Sequence, residues 1–281
     1  MIEDHLQKKF VETGKGKIYY FLDNSFPSRP MVVFLHGLTA NHTTWLNTME
    51  FLRAQKYNTL ALNMRGHGYS DKTKNKSFYE LPIFCEDLNQ IIARENIGKF
   101  FLVGYSFGGT VAIDFAIKNS QKLLGLVLVS TNYANPLEHL KLKFLTPLVL
   151  FFVNSAAFLL LWQKRKQYIY FREGSSRGYW HSVWTGLNTI PLSLMFWFWA
   201  LVGRLDFKTT IQQIKTPTLI FRAKNDPFLS LKEASEMADS IPNAVIVTPQ
   251  KNDTHFLPAH AWEEISEIIL DFLQKHENSN F

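Results

Sequence analysis

Six short apolar runs separated by helical patterns constrain this 281-residue chain more than any other feature. Met31-Val32-Val33-Phe34-Leu35 contains no polar side chain, as a strand buried on both faces requires. Asn58–Asn63, Phe100–Gly104, Leu123–Ser130, Thr218–Phe221 and Ala244–Val247 repeat the theme. Helical patterns fill the gaps over Thr44–Gln55, Phe78–Glu95, Ser106–Asn119, Leu231–Ile241 and Ala261–Lys275. In the last, Ile265, Ile268, Ile269 and Phe272 form one stripe at i, i+3, i+4 and i+7. Strands that alternate with helices predict an α/β fold, a mostly parallel sheet covered by helices on both faces. Lys17–Leu22 alternates loosely and reads as an early edge strand. The chain has no internal repeat and no low-complexity tract.

One junction in this pattern carries chemistry. Gly104-Tyr105-Ser106-Phe107-Gly108-Gly109 comes after the run Phe100–Val103 and opens a helical pattern. This is Gly-x-Ser-x-Gly in the strand–turn–helix setting that gives the motif mechanical meaning. Small residues on either side let a sharp turn lift the Ser106 hydroxyl above the sheet edge. The next helix aims its N-terminal N–H groups at the place where negative charge would develop.

A serine hydroxyl needs a base, and the base needs a carboxylate to orient it. Asp226 lies in the loop after Thr218–Phe221, and His255 lies in the loop after Ala244–Val247. Both loops leave the same edge of a parallel sheet as Ser106, so the three residues can converge as nucleophile, acid and base. Asp253 is too close to His255 in sequence to compete well. Asp239 and Asp271 sit inside helical patterns, and Asn132 offers no carboxylate. His260 and His276 fall at the ends of the final helix and read as solvated. For the oxyanion, the main-chain N–H groups of Leu38 and Phe107 are the candidates: His36-Gly37-Leu38 comes directly after a buried strand.

Together these residues resemble the α/β-hydrolase superfamily, especially its lipase, esterase and monoacylglycerol-lipase-like branch. The matching pieces are His36-Gly37, Arg65-Gly66-His67-Gly68-x-Ser70, Gly104-x-Ser106-x-Gly108-Gly109, Asp226 and His255. The resemblance implies the α/β-hydrolase fold with an inserted helical cap, and it implies a structural, bracing role for the Arg-Gly-His-Gly stretch. Members similar to dehalogenases and epoxide hydrolases carry Asp where this chain has Ser106. Hydrolases of carbon–carbon bonds share the Ser-Phe-Gly-Gly elbow, but often carry Trp where this chain has Phe256, next to His255. Asn63 stands where relatives usually have Asp.

Relatives carry their cap between the sixth strand and the acid-bearing strand. Composition marks the same place here. Between Ala134 and Thr210, nine Lys/Arg face three Asp/Glu, whereas the rest of the chain carries 21 of each sign. Those 77 residues also hold 16 of the 41 aromatics. The expected division is therefore a hydrolase core over 1–133 and 211–281, with a cap over 134–210. An even spread of excess charge would have suggested nucleic acid as a partner; this clustering does not. Phe144–Trp162 is a 19-residue run with only Thr146, Asn154 and Ser155 polar, and Leu187–Gly203 is rich in Trp and Phe. These segments fit a soluble cap over an apolar pocket. A cap dipping into a lipid interface and a helical hairpin across a bilayer stay open. The basic stretch Gln163–Arg172 would suit anionic lipid.

The resulting expectation is a serine hydrolase that cleaves a lipophilic acyl ester through Ser106, His255 and Asp226 with an acyl-enzyme intermediate. Carbon–carbon bond hydrolysis, cofactor-free peroxidation and a non-catalytic hydrophobic-ligand carrier are the alternatives. No dinucleotide loop or metal-ligand cluster is seen in the sequence, so no cofactor and no metal are expected. A single cysteine, Cys85, and a polar N-terminus point to the cytoplasm, with membrane association through the cap as the variant.

Overall fold

The apolar runs become strands of one eight-stranded sheet, ordered β1-β2-β4-β3-β5-β6-β7-β8. A computed structural model of the chain describes residues 4–135, 143–162, 189–250 and 255–278. β1 (Gln7–Thr13) and β2 (Gly16–Asp23) form a hairpin, and β2 runs antiparallel to β4 (Asn58–Leu62). β3 (Met31–Leu35), β5 (Phe100–Tyr105), β6 (Leu123–Val129), β7 (Thr218–Phe221) and β8 (Ala244–Val247) continue it in parallel with β4. Every residue of β3, β4, β5 and β6 is buried, which is why those runs show no polar alternation.

The early strand is not at the edge. β2 is the second strand, and β1 lies outside it with Gln7, Lys8 and Glu12 exposed. A mostly polar strand gives no apolar signal, and its charges blunt an edge that would otherwise pair with other chains.

Helices cover both faces. Val33 and Leu35 of β3 face a core built with α2 (Leu81–Arg94), α3 (Phe107–Asn119) and α6 (Leu231–Ser240). Val32 and Phe34 face the opposite core, shared with α1 (Leu46–Ala54) and α8 (Trp262–His276). Between α6 and α8, α7 (Leu257–His260) is a single turn. On α8 the fully buried stripe is Ile265, Ile269 and Leu273, with Ile268 and Phe272 half-buried beside it.

Among the described residues, two further helices form the inserted helical region between β6 and β7: α4 (Thr146–Leu159) and α5 (Leu192–Val202), which pack on each other. Phe198 of α5 is fully buried and anchors it on the core, 5.1 Å from the Phe107 ring and 5.1 Å from His67. The basic stretch Gln163–Arg172 lies outside the described residues. Among those residues no helix is long and apolar enough to cross a membrane, so none of them supplies the bilayer hairpin that the sequence left open as an alternative to a soluble cap.

The Arg-Gly-His-Gly loop braces the sheet edge. The buried Arg65 guanidinium pairs with Asp87 of α2, with Nε 3.0 Å from Oδ2. Ser70 Oγ accepts the Tyr19 N–H at 2.9 Å, and His67 Nδ1 lies 3.0 Å from the Arg65 carbonyl. Asn63, where relatives usually have Asp, presents its Oδ1 to the His42 N–H at 2.9 Å and to His42 Nδ1 at 3.0 Å. His36 accepts the Met64 N–H on Nε2 at 3.0 Å, and its Nδ1–H donates to the Gly37 carbonyl at 2.8 Å. The contact at Nε2 requires a neutral ring, because a protonated nitrogen cannot accept.

Burial lowers the pKa of all three histidines, His36 to about 4, His42 to about 3, and His67 well below its ordinary value. They stay neutral in the native state while the unfolded chain binds protons below about pH 6.5. Stability should be flat above that pH and fall as pH drops toward about 4. Each histidine contributes on the order of 1 kcal/mol per pH unit in that window. Denaturant midpoints across the range should show this slope, and His42→Gln should reduce it by about one proton.

Candidate active site

Ser106 sits between the last residue of β5 and the first of α3, with φ 50° and ψ −116°. That is the left-handed half of the backbone map, strained for a serine. Main-chain bonds hold it there: its N–H donates to Val129 O at 2.9 Å, and its carbonyl accepts from Thr110 N at 3.1 Å. The flanking glycines are a matter of space. A Cβ on Gly104 would lie 2.6 Å from Gly108 O and Gly109 Cα, and one on Gly108 would lie 2.5 Å from the carbonyls of Leu35 and His36. Strand, helix and the end of β3 thus approach at backbone distance, and the serine is pushed outward.

The other two residues arrive on loops beyond β7 and β8. His255 Nε2 lies 3.0 Å from Ser106 Oγ, and His255 Nδ1 lies 2.9 and 3.0 Å from the two carboxylate oxygens of Asp226. The Asp226 side chain is fully buried. Burial pushes its pKa up, but the hydrogen bond and charge of His255 and the Phe228 N–H outweigh this, so the net pKa falls below the ordinary carboxylate value. An ionised Asp226 requires the proton on Nδ1 of His255, which leaves Nε2 free to accept from the serine hydroxyl. Phe228 packs edge-on against the imidazole at 4.9 Å, and Tyr105 lies 5.5 Å away, so the ring is fixed on two sides. The arrangement can take a proton from Ser106 as its oxygen attacks, and can return it to a leaving group.

Leu38 and Phe107 line the same cavity as Ser106 and His255. Phe107 is the first residue of α3, so its N–H has no acceptor within the helix and points out of the N-terminus. The cavity measures about 420 Å³. Val149, Leu150 and Val153 of α4 and Met195, Trp199 and Val202 of α5 make its apolar wall. Ser130, Asn132, Asn135 and Thr146 add polar groups to the lining, and Asn135 Nδ2 donates to Thr146 Oγ at 3.0 Å. Among the described residues, no three His, Cys, Asp or Glu cluster as metal ligands.

Asp239 and Asp271 are exposed on helices, Asn132 lines the cavity, and Asp253 lies outside the described residues. His260 is half-buried against Phe256, not solvated as its position at the helix end suggested. Sequence reasoning missed Phe228. The signal was Asp226-Pro227-Phe228, where an aspartate accepts the N–H two residues on and so fixes the path of the loop. It also missed Met195 and Trp199, because an all-apolar helix gives no hint of which face borders a cavity.

The sequence profile of the alpha/beta hydrolase fold family matches residues 30–258. The chain belongs to that family. Epoxide hydrolase 3 of Xenopus tropicalis is 23% identical over 96% of this chain and 79% of its own length. A putative 2-succinyl-6-hydroxy-2,4-cyclohexadiene-1-carboxylate synthase of Bacillus subtilis is 30% identical over 43% of each chain. Among solved structures, a thermophilic esterase from Thermogutta terrifontis superposes with a TM-score of 0.76 at 20% identity, covering 97% of this chain and 100% of that one. A membrane phospholipase A described as a bacterial virulence factor superposes at 0.73 and 19%, covering 99% and 88%. At such identities the superpositions speak for the fold.

The elbow's tightness is testable. Gly108→Ala should cost about 1–3 kcal/mol through overpacking against the end of β3. Gly98→Ala, with nothing within 4 Å of its new Cβ, should leave stability unchanged. Urea denaturation of the two variants measures the difference.

Proposed function

We propose that this family member is a serine hydrolase that cleaves carboxylic esters of lipophilic acids. The observation that carries the reading is the 3.0 Å approach of His255 Nε2 to Ser106 Oγ, with Asp226 bonded behind the ring. In this mechanism Ser106 attacks the ester carbonyl while His255 takes its proton, and Asp226 stabilises the imidazolium. The N–H groups of Leu38 and Phe107 receive the oxyanion. His255 then protonates the leaving alcohol, and the same ring activates water to release the acid from Ser106. The wall formed by α4 and α5 favours an apolar acyl chain.

Two other reactions compete. Epoxide-hydrolase-like relatives use an aspartate at the position of Ser106, and a serine there cannot reproduce that nucleophile. Carbon–carbon bond cleavage would use the residues of this site unchanged, and the Ser106-Phe107-Gly108-Gly109 elbow suits it. Phe256, where that branch often has Trp, weighs against it.

Hydrolysis of p-nitrophenyl esters of graded length should rise from acetate toward decanoate, and a flat profile would argue against a lipophilic acid. A fluorophosphonate should label the protein, and Ser106→Ala should abolish labelling; a carrier without catalysis would not react at all. Asp226→Asn should keep the fold and lower kcat by about 10⁴, because the imidazole loses its tautomer and its counter-charge. If the ester panel gives no turnover while labelling at Ser106 persists, the carbon–carbon reading takes precedence.

A further inference from the structure

The outer face of α4 presents an apolar surface that the hydrolytic site does not use. Leu148, Phe151, Phe152, Phe158 and Leu159 fall at i, i+3, i+4, i+10 and i+11, within about a third of the helix circumference, and Trp162 follows in the turn beyond the helix end. They are exposed, Phe158 at 70%, Leu159 at 74% and Trp162 at 84%. A soluble surface rarely gathers this much apolar side chain in one place.

The polar groups of the same helix already have protein partners. Ser155 Oγ donates to the Phe151 carbonyl at 2.8 Å. Asn154 Nδ2 donates to the Leu150 carbonyl at 2.6 Å, and its Oδ1 accepts from Lys76 Nζ at 2.5 Å. A face whose hydroxyl and amide need no water can be desolvated at little cost.

Cations border this face. Lys74 Nζ lies 4.9 Å from the Trp162 ring centroid, Lys76 reaches Asn154, and the exposed Arg204 lines a hollow of about 600 Å³ along the outside of α4. Glu80 is the acidic neighbour of Lys76. Leu150 lines both this outer hollow and the cavity of Ser106.

We infer that the Phe151/Phe158 face of α4, with Lys74, Lys76 and Arg204, docks on the surface of an anionic lipid bilayer. Phenylalanine, leucine and tryptophan would enter the headgroup–acyl boundary while the cations meet phosphate. The helix lies in the interface and does not span it, consistent with its fourteen residues. Charge selects lipid over a second copy of the chain, because a two-fold pairing through this face brings like-charged borders together. Docking deepens the proposed ester hydrolysis by naming where a lipophilic substrate is drawn from, and the test separates the two.

The test is co-flotation of the full chain with phosphatidylcholine vesicles, with and without phosphatidylglycerol, in wild type and in the Ser106→Ala variant. Both should bind the anionic vesicles and bind neutral ones more weakly. The Phe151→Ser, Phe158→Ser double variant should lose at least about tenfold in partitioning while its rate on soluble p-nitrophenyl acetate stays unchanged. Lys74→Gln with Arg204→Gln should remove the preference for anionic lipid. Equal partitioning of wild type and the phenylalanine variant overturns docking, as does a concentration-dependent dimer dispersed by that variant without vesicle binding. Vesicle binding by a protein that turns over no ester upholds docking and removes the ester reading; ester turnover without vesicle binding does the reverse.

Discussion

Everything at the candidate site depends on one strained residue. Ser106 is held at φ 50° because β5, α3 and the end of β3 meet at backbone distance, and only glycine at 104 and 108 permits the approach. Such a conformation costs about 1–3 kcal/mol, and it persists because the surrounding packing over-determines it. Its main-chain bonds to Val129 and Thr110 tie the strain to the neighbouring strand and to the first turn of α3. The backbone therefore presents the hydroxyl to the imidazole, 3.0 Å from its Nε2.

The loops that meet Ser106 need support of their own, and the structure supplies it below the site. The buried Arg65–Asp87 pair joins the Arg-Gly-His-Gly loop to α2, and the neutral His36 joins the loop after β3 to Met64. His67 lies 5.0 Å from His36 and 5.1 Å from Phe198 of α5, so one aromatic cluster connects brace and cap. The histidines most obvious in the sequence after His255 thus serve geometry, and burial keeps them uncharged.

The cap gives the cavity its character. α4 is apolar on two opposite sides, one facing Ser106 and the other facing outward. A helix that met only the core would show a polar outer face. The two faces make sense together if the helix stands between an apolar cavity and an apolar phase.

Much of the core fold was legible in the sequence, because strands buried on both faces must be apolar without interruption and turns at backbone distance must use glycine. The expected places of Ser106, Asp226 and His255 came from the same logic, since loops after parallel strands emerge on one edge. β1 was not legible: an edge strand with one wet face carries a polar sequence. Nor were Phe228, Met195 and Trp199, whose neighbours come from distant parts of the chain. Local sequence determined the period of each element and the chemistry available at its ends. Tertiary packing alone decided which face of an all-apolar helix borders a cavity, because no side-chain pattern distinguishes two apolar faces.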